Sequence, residues 1–494
     1  MSLRRNRRPL LQTRYTRTRR DESQTADPSR LVDVDGGDLV PEGGEHRPHA
    51  GRIWRAFRVP SAHRDTTAVL GGAYPFLAGP PTAGGGYIGR DTVTGAAFGY
   101  DPWQCYAAQA ISNTNILIVG NIGWGKTNTA MAIALRAIAT GRPVTVPGDP
   151  KNDWSRLAEA LGGQAIRLGA GQPDRLNPLD PGPQPPGADR DTWLHQADQR
   201  RAALLVAIVE TLAPGLAPLH PQTLEALTDA LQSTCRASST PTLHQLVARL
   251  EDNPPPAAAP IRASLAQLCT GPLAGLLDQP ATVTPDPAAP MIAVGTAALA
   301  DNETAHTLAV LTATSQLDAI HTPGQQRFVV YDEAWRILAA PAHLARVNAE
   351  LRLSRARGTA TILITHALSD ADKTSDAGSA AAATARGLAS LCDTRLAFRQ
   401  APGELDRTAT DLHLTRAERD AVAALGKGEA LWKIGTTGRR VHTDLGESET
   451  VLFNTDAAIA GSETPSGAPG VVGFNEQPRA SVVLNTATGS RRPQ

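Results

Sequence analysis

The stretch Gly120-Asn-Ile-Gly-Trp-Gly-Lys126-Thr127 constrains the fold more than any other part of the chain. Its spacing, G-x-x-x-x-G-K-T, is that of a phosphate-binding loop. Glycines let successive backbone N–H groups turn inward onto phosphate oxygens, and the helix that follows presents its positive N-terminal end. Such a loop must join a buried strand to a helix. Here the apolar run Asn115–Val119 precedes it, and helical periodicity follows from Lys126 to about Thr140. The candidate nucleotide-binding residues are therefore Gly120, Gly123, Trp124, Gly125, Lys126, Thr127 and Asn128. Lys126 is expected to reach the β- and γ-phosphates, and the Thr127 hydroxyl to ligate Mg²⁺. Composition sharpens the reading of Lys126: of 48 basic residues only five are Lys (Lys126, Lys151, Lys373, Lys427 and Lys433), so a lysine at this position is not background.

A second element is Arg327-Phe-Val-Val-Tyr-Asp332-Glu333, an apolar strand ending in two acids. Ligands of an open parallel sheet bind at the carboxyl ends of its strands. Asp332 is placed in the Mg²⁺ shell, and Glu333 is the candidate base that orients and deprotonates the attacking water. A third element runs from Leu353 through Arg355 and Arg357 into a strand that finishes in Thr365-His366. His366 is expected beside the two acids, where it could touch the γ-phosphate or the water. Arg352, Arg355 and Arg357 could serve a neighbouring subunit as an arginine finger; a solvated basic helix face is the alternative. Arg399, at the end of the next expected strand, is a second finger candidate. Asp149-Pro-Lys151-Asn-Asp-Trp154 also follows a strand and would shape the nucleotide site, or form a plain helix-entry turn capped by Asp153.

Strand and helix signals alternate on both sides of residues 181–288, which predicts an α/β fold with a parallel sheet. Strands are expected near 143–146, 165–168, 291–294, 361–364 and 394–398, with helices near 153–161, 304–320, 342–356 and 379–390 and a closing hairpin of 430–434 with 439–443. Residues 181–288 show helical periodicity without strand signals, broken by proline clusters. The expected organisation is a disordered tail (1–50), a small N-terminal adaptor (51–112), the two parts of an ATPase core (113–180 and 289–450) around a helical insertion (181–288), and a flexible tail (451–494). The chain has zero formal net charge, yet its first twenty residues hold eight Arg and no acid. A tail of that kind meets anionic phospholipid headgroups or nucleic acid, or is merely solubilising. The four cysteines lack metal or redox spacing and read as reduced thiols of a cytoplasmic protein. No apolar run approaches the length of a membrane span and no secretory signal is visible, so any membrane contact is expected to be peripheral.

Taken in order, the phosphate loop, Asp149–Trp154, the Asn-Pro-Leu-Asp segment at 177–180, Tyr331-Asp-Glu-Ala-Trp-Arg336, Ser354–His366, Arg395–Gln400 and the Gly428–Trp432 hairpin resemble the traffic ATPases of conjugation and type IV secretion systems. These are the TraC/TrbE-type assembly ATPases of the HerA–FtsK superfamily, and the resemblance covers about residues 100–450. It implies a RecA-like P-loop core, ATP rather than GTP as the nucleotide, and a homohexamer with ATP at subunit borders. It also implies an arginine supplied in trans, with Arg355 preferred, and partners among membrane-embedded channel proteins at the inner face of the plasma membrane. Two departures stand out. The family commonly has Gln where this chain has His366, and its members carry a large N-terminal domain for which only about a hundred residues precede the motor here; the Arg-rich tail could replace that domain in membrane docking. Two other readings compete: a DNA-pumping coupling protein or FtsK/HerA-like translocase, and a nucleotide-gated scaffold with little turnover.

Overall fold

The computed structural model describes residues 84–453, apart from 186, 253–257, 272, 323 and 368–386. All of these belong to one compact unit, Thr67–Gln494. The expected N-terminal tail, most of the C-terminal tail and most of the helix expected at 379–390 lie outside the described residues.

One sheet of eleven strands organises the described residues. In chain order they are β1 (Gly86–Asp91), β2 (Ala97–Tyr100), β3 (Ile116–Val119), β4 (Val144–Asp149), β5 (Gln164–Arg167), β6 (Met291–Gly295), β7 (Arg327–Tyr331), β8 (Thr359–Thr365), β9 (Thr394–Ala397), β10 (Glu429–Ile434) and β11 (Thr437–Thr443). Across the sheet the order is β2-β1-β11-β10-β9-β3-β8-β7-β4-β6-β5. From β9 to β5 every pairing is parallel, and from β9 to β2 every pairing is antiparallel. The central strands β3, β7 and β8 are buried along their whole length. They are continuous apolar or Thr-rich runs because helices cover both faces of a parallel sheet.

Those helices are α1 (Pro102–Ala107), α2 (Lys126–Ala139), α3 (Asp153–Ala160), α4 (Arg190–Leu212), α5 (Pro221–Ala237), α6 (Leu243–Asp252), α7 (Ala259–Thr270), α8 (Glu303–Ala319), α9 (Trp335–Ala339), α10 (Pro341–Arg357), α11 (Pro402–Asp411), α12 (Arg416–Ala423) and α13 (Glu447–Leu452). Alternate residues of β3 enter different cores. Ile116 and Ile118 pack with Met131 and Ile133 of α2, while Leu117 and Val119 pack with Leu344 and Val347 of α10. Between β5 and β6 the described residues form helices and loops only. Leu204, Ile208, Leu231, Leu246 and Leu265 build a third core there, shared with Leu308 and Leu311 of α8. No helix among the described residues is long and apolar enough to cross a membrane.

Of the expected N-terminal adaptor, residues 84–112 are described. Residues 86–100 add β1 and β2 to the main sheet, because β11 exposes an edge that antiparallel pairing with β1 satisfies. Gly89 permits the close approach, since a Cβ there would lie 1.9 Å from the His442 carbonyl oxygen. Phe98 and Tyr100 of β2 then close edge-on over the buried Trp432 of β10, with ring centroids 4.9 and 5.2 Å away.

Candidate nucleotide site

The phosphate loop occupies the turn from β3 into α2, at the carboxyl edge of the parallel strands. Gly120, Gly123 and Gly125 have φ of +154°, +78° and +99°, a region that residues with a Cβ rarely enter. Gly125 is the residue before the first turn of α2, so that helix starts on a left-handed backbone. The loop is anchored from both sides. Asn121 N donates to the Arg399 carbonyl (3.0 Å), Ala401 N donates to Asn121 Oδ1 (3.2 Å), and Gly428 N donates to the Trp124 carbonyl (3.1 Å). The Arg399 guanidinium lies 4.9 Å from the centre of the Trp124 ring.

Lys126 is 6% exposed. Its Nζ donates to the carbonyls of Gly120 (2.7 Å) and Asn121 (2.9 Å) and lies 3.1 Å from His366 Nδ1. Burial pulls its pKa down to about 8, against the opposing charges of Glu333 and Asp332. The order of strands explains the contact with His366: β8 lies between β3 and β7, and pairs Thr365 with Val119. The residue after β8 therefore stands between the loop and the acids that follow β7.

Those acids turn in different directions. Asp332 accepts from Trp154 Nε1 (3.0 Å) and from the Glu333 N–H (2.9 Å), and Thr127 Oγ1 donates to it at 3.3 Å. Burial holds the Asp332 carboxyl above the usual carboxylate range. A hydroxyl and a carboxylate oxygen, both hard donors, thus converge where Mg²⁺ would be needed, and the residues fit that ion. Glu333 sits at φ +54°, a left-handed conformation that is uncommon for a side-chain-bearing residue. Its Oε1 accepts from Lys151 Nζ (2.5 Å), and its Oε2 from Trp335 Nε1 (2.8 Å) and His366 Nε2 (3.0 Å). Burial alone would raise its pKa, but the hydrogen bonds from His366 and Lys151 outweigh it and hold Glu333 ionised, well below the usual range.

The structure therefore brings Gly120, Gly123, Trp124, Gly125, Lys126, Thr127, Asn128, Asp332, Glu333 and His366 to one edge of the sheet. It does not bring Arg355 there. Arg352, Arg355 and Arg357 are exposed near the end of α10, which leads into the opposite end of β8. The seven residues of β8 put about 20 Å between that end and His366. Within one chain Arg355 cannot meet the phosphate loop, so a role for it requires a second copy. The sequence marks Lys151 and Trp154 only as members of a segment and gives Trp335 no place in the site. The scarcity of lysine was the available signal for Lys151. Asp149, in the same segment, is buried and accepts from the Ser155 N–H and hydroxyl, and burial raises its pKa to about 6.

No protein-family model matches the sequence, and no curated protein matches it. Solved structures do. VirB4 of Thermoanaerobacter pseudethanolicus aligns over 75% of this chain and 100% of its own, at 21% identity and a TM-score of 0.60. The bacterial conjugative coupling protein TrwB, in an unbound form, aligns over 76% of this chain and 92% of its own at 12% identity (TM-score 0.49). TrwB in complex with ADP and Mg²⁺ aligns over 76% and 93% at 14% identity (TM-score 0.47). The chain has the α/β fold of the VirB4 structure, a RecA-like P-loop core interrupted by helices.

Proposed function

We propose that this chain is an ATP-hydrolysing motor of a conjugative transfer or type IV secretion apparatus, powering pilus assembly or the translocation of substrate. The observation that carries the reading is the convergence of Lys126, Thr127, Asp332, Glu333 and His366 at the carboxyl edge of the sheet. The VirB4-like fold supports the choice of system.

In this reading the loop N–H groups and Lys126 bind the phosphates of ATP. Thr127 and Asp332 would hold Mg²⁺, which supplies charge neutralisation to the phosphate oxygens when bound. Glu333 accepts a proton from water as the water oxygen bonds to the γ-phosphorus and the bond to the β-phosphate oxygen breaks. His366, in contact with both Lys126 and Glu333, keeps the two in register. Arg355 serves the adjacent copy in a homohexamer. The further partners are membrane-embedded channel proteins and, through the Arg-rich tail, an anionic membrane surface at the cytoplasmic face. A scaffold that binds without turnover would have no use for a carboxylate held ionised by His366 and Lys151.

Steady-state ATP turnover, with and without single- and double-stranded DNA and with Lys126→Ala as the blank, tests this. Turnover that is lost in Lys126→Ala and indifferent to DNA supports a secretion-assembly motor. Strong stimulation by DNA shifts the reading to a DNA pump, and an inactive wild-type chain sinks the enzymatic reading.

A further inference from the structure

The carboxylate of Glu333 is gripped unequally. Two donors, Trp335 Nε1 and His366 Nε2, share Oε2, while Oε1 faces Lys151 Nζ at 2.5 Å. The donors on Oε2 have little freedom. Trp335 begins α9 only two residues on, and the other ring nitrogen of His366 lies 3.1 Å from Lys126 Nζ. Oε1 is therefore the oxygen that an attacking water can use, and a lysine stands on it.

Lys151 is suited to leave. Its side chain is 54% exposed, and its ammonium is a compact charge on a flexible four-carbon stem. It sits between the end of β4 and the start of α3, next to Asn152, whose backbone is left-handed (φ +59°). An arginine there would clamp the carboxylate in a planar fork and release it less readily. In a chain with 43 Arg among 48 basic residues, lysine at this position is a chemical choice. Its alternative partner would lie along a connected set of side chains, since its charge is felt by both Lys126 and Asp332. A chain of contacts runs Lys126, His366, Glu333, Lys151 and links the ammonium to the lysine that would receive the terminal phosphate.

We propose that Lys151 reads the γ-phosphate by direct contact. With a nucleoside diphosphate bound it stays on Glu333 Oε1; with a triphosphate bound its ammonium moves to a γ-phosphate oxygen and leaves Oε1 to the water. The inference rests on the ATPase reading above and adds to it how the site distinguishes the two nucleotides.

The test uses the full chain with Lys151→Ala and Lys151→Arg, measuring affinity for ADP and for a non-hydrolysable ATP analogue, then kcat and KM. In Lys151→Ala the preference for the analogue over ADP falls about fivefold or more, ADP affinity stays within about twofold of wild type, and kcat drops about tenfold through the lost charge on the γ-phosphate, since Oε1 is already open to water in that variant. Lys151→Arg keeps the charge but leaves the carboxylate less readily, so it recovers the preference only in part and leaves kcat low. If Lys151→Ala does not fold, Lys151→Met keeps the stem and carries the same readouts. An unchanged analogue-to-ADP ratio in the neutral variant overturns the proposal, whatever happens to turnover. Wild type and Lys126→Ala separate the two failures: a wild type that binds no nucleotide removes both readings, whereas normal binding and turnover with an unchanged ratio removes this one alone.

Discussion

A Cβ on Gly120 would lie 2.5 Å from the Cβ of Phe398, and the residue also has a positive φ. Gly120→Ala is accordingly expected to displace the phosphate loop and weaken nucleotide binding about tenfold or more, readable by calorimetry alongside a thermal melt. Lys126→Ala should abolish tight binding, since it removes the buried ammonium and leaves the carbonyls of Gly120 and Asn121 without that donor. Glu333→Gln should bind ATP normally while kcat falls by about 10² or more, the usual loss for a general base; normal turnover in that variant would move the base elsewhere. These residues were legible because their chemistry demands adjacent positions in the chain. His366 was legible as a strand-end residue, although its contacts with Lys126 and Glu333 depend on β8 lying between two other strands.

Among the elements, α8 and α10 carry a pair of buried histidines that the proposed chemistry does not use. Burial, then the nearby Arg336 guanidinium, pushes His306 down to about 4. Burial, then Arg346 and His306, pushes His343 down to about 3. Both rings are neutral in the fold at neutral pH, whereas in the unfolded chain they take up protons below about 6.5. The unfolded state therefore binds more protons between roughly pH 6.5 and 4, and stability falls as pH is lowered through that window, on the order of a few kcal/mol. Urea titrations at about pH 7 and about pH 4.5 should show this loss, and His343→Phe should make it smaller. An unaltered pH dependence in that variant would mean that His343 is not the group responsible. In the hairpin, Trp432 is fully buried against Phe98 and Tyr100, so Trp432→Ala is expected to cost about 3–5 kcal/mol. Most strand and helix ranges follow the periodicity closely, because continuous burial of β3, β7 and β8 leaves a strong apolar signal. β1 and β2 carried less signal: they are short and edge-bound, and they depend on a partner strand that lies far along the chain, as the 354-residue separation of Arg90 and Asp444 shows.

On the scale of the whole molecule, the exposed Arg355 and the phosphate loop occupy opposite edges of one sheet. In the proposed homohexamer the first would serve the second of a neighbour. Mixing Arg355→Ala with Glu333→Gln protein creates some borders with both groups intact, so turnover should partly return; none, despite confirmed mixed assembly, excludes Arg355 as the trans residue. Arg399 is engaged with Trp124 of its own chain, which makes it the weaker candidate for that role. Deleting residues 1–20, which hold eight Arg, should release the protein from anionic vesicles, and unchanged binding would rule out the tail as the docking element.

By itself the sequence determined the phosphate loop, the acidic pair, the α/β alternation and the helical stretch between the two parts of the core. Each is written in local spacing or periodicity, which short-range sterics and burial enforce. Only the tertiary structure decided the strand order, the joining of β1 and β2 to the sheet, and the three donors around Glu333. Lys151 and Glu333 are 182 positions apart, and His366 reaches both Lys126 and Glu333 only because β8 runs between β3 and β7. Such contacts depend on how strands pair across a sheet, and pairing is chosen by the packing of all its helices together rather than by any one segment.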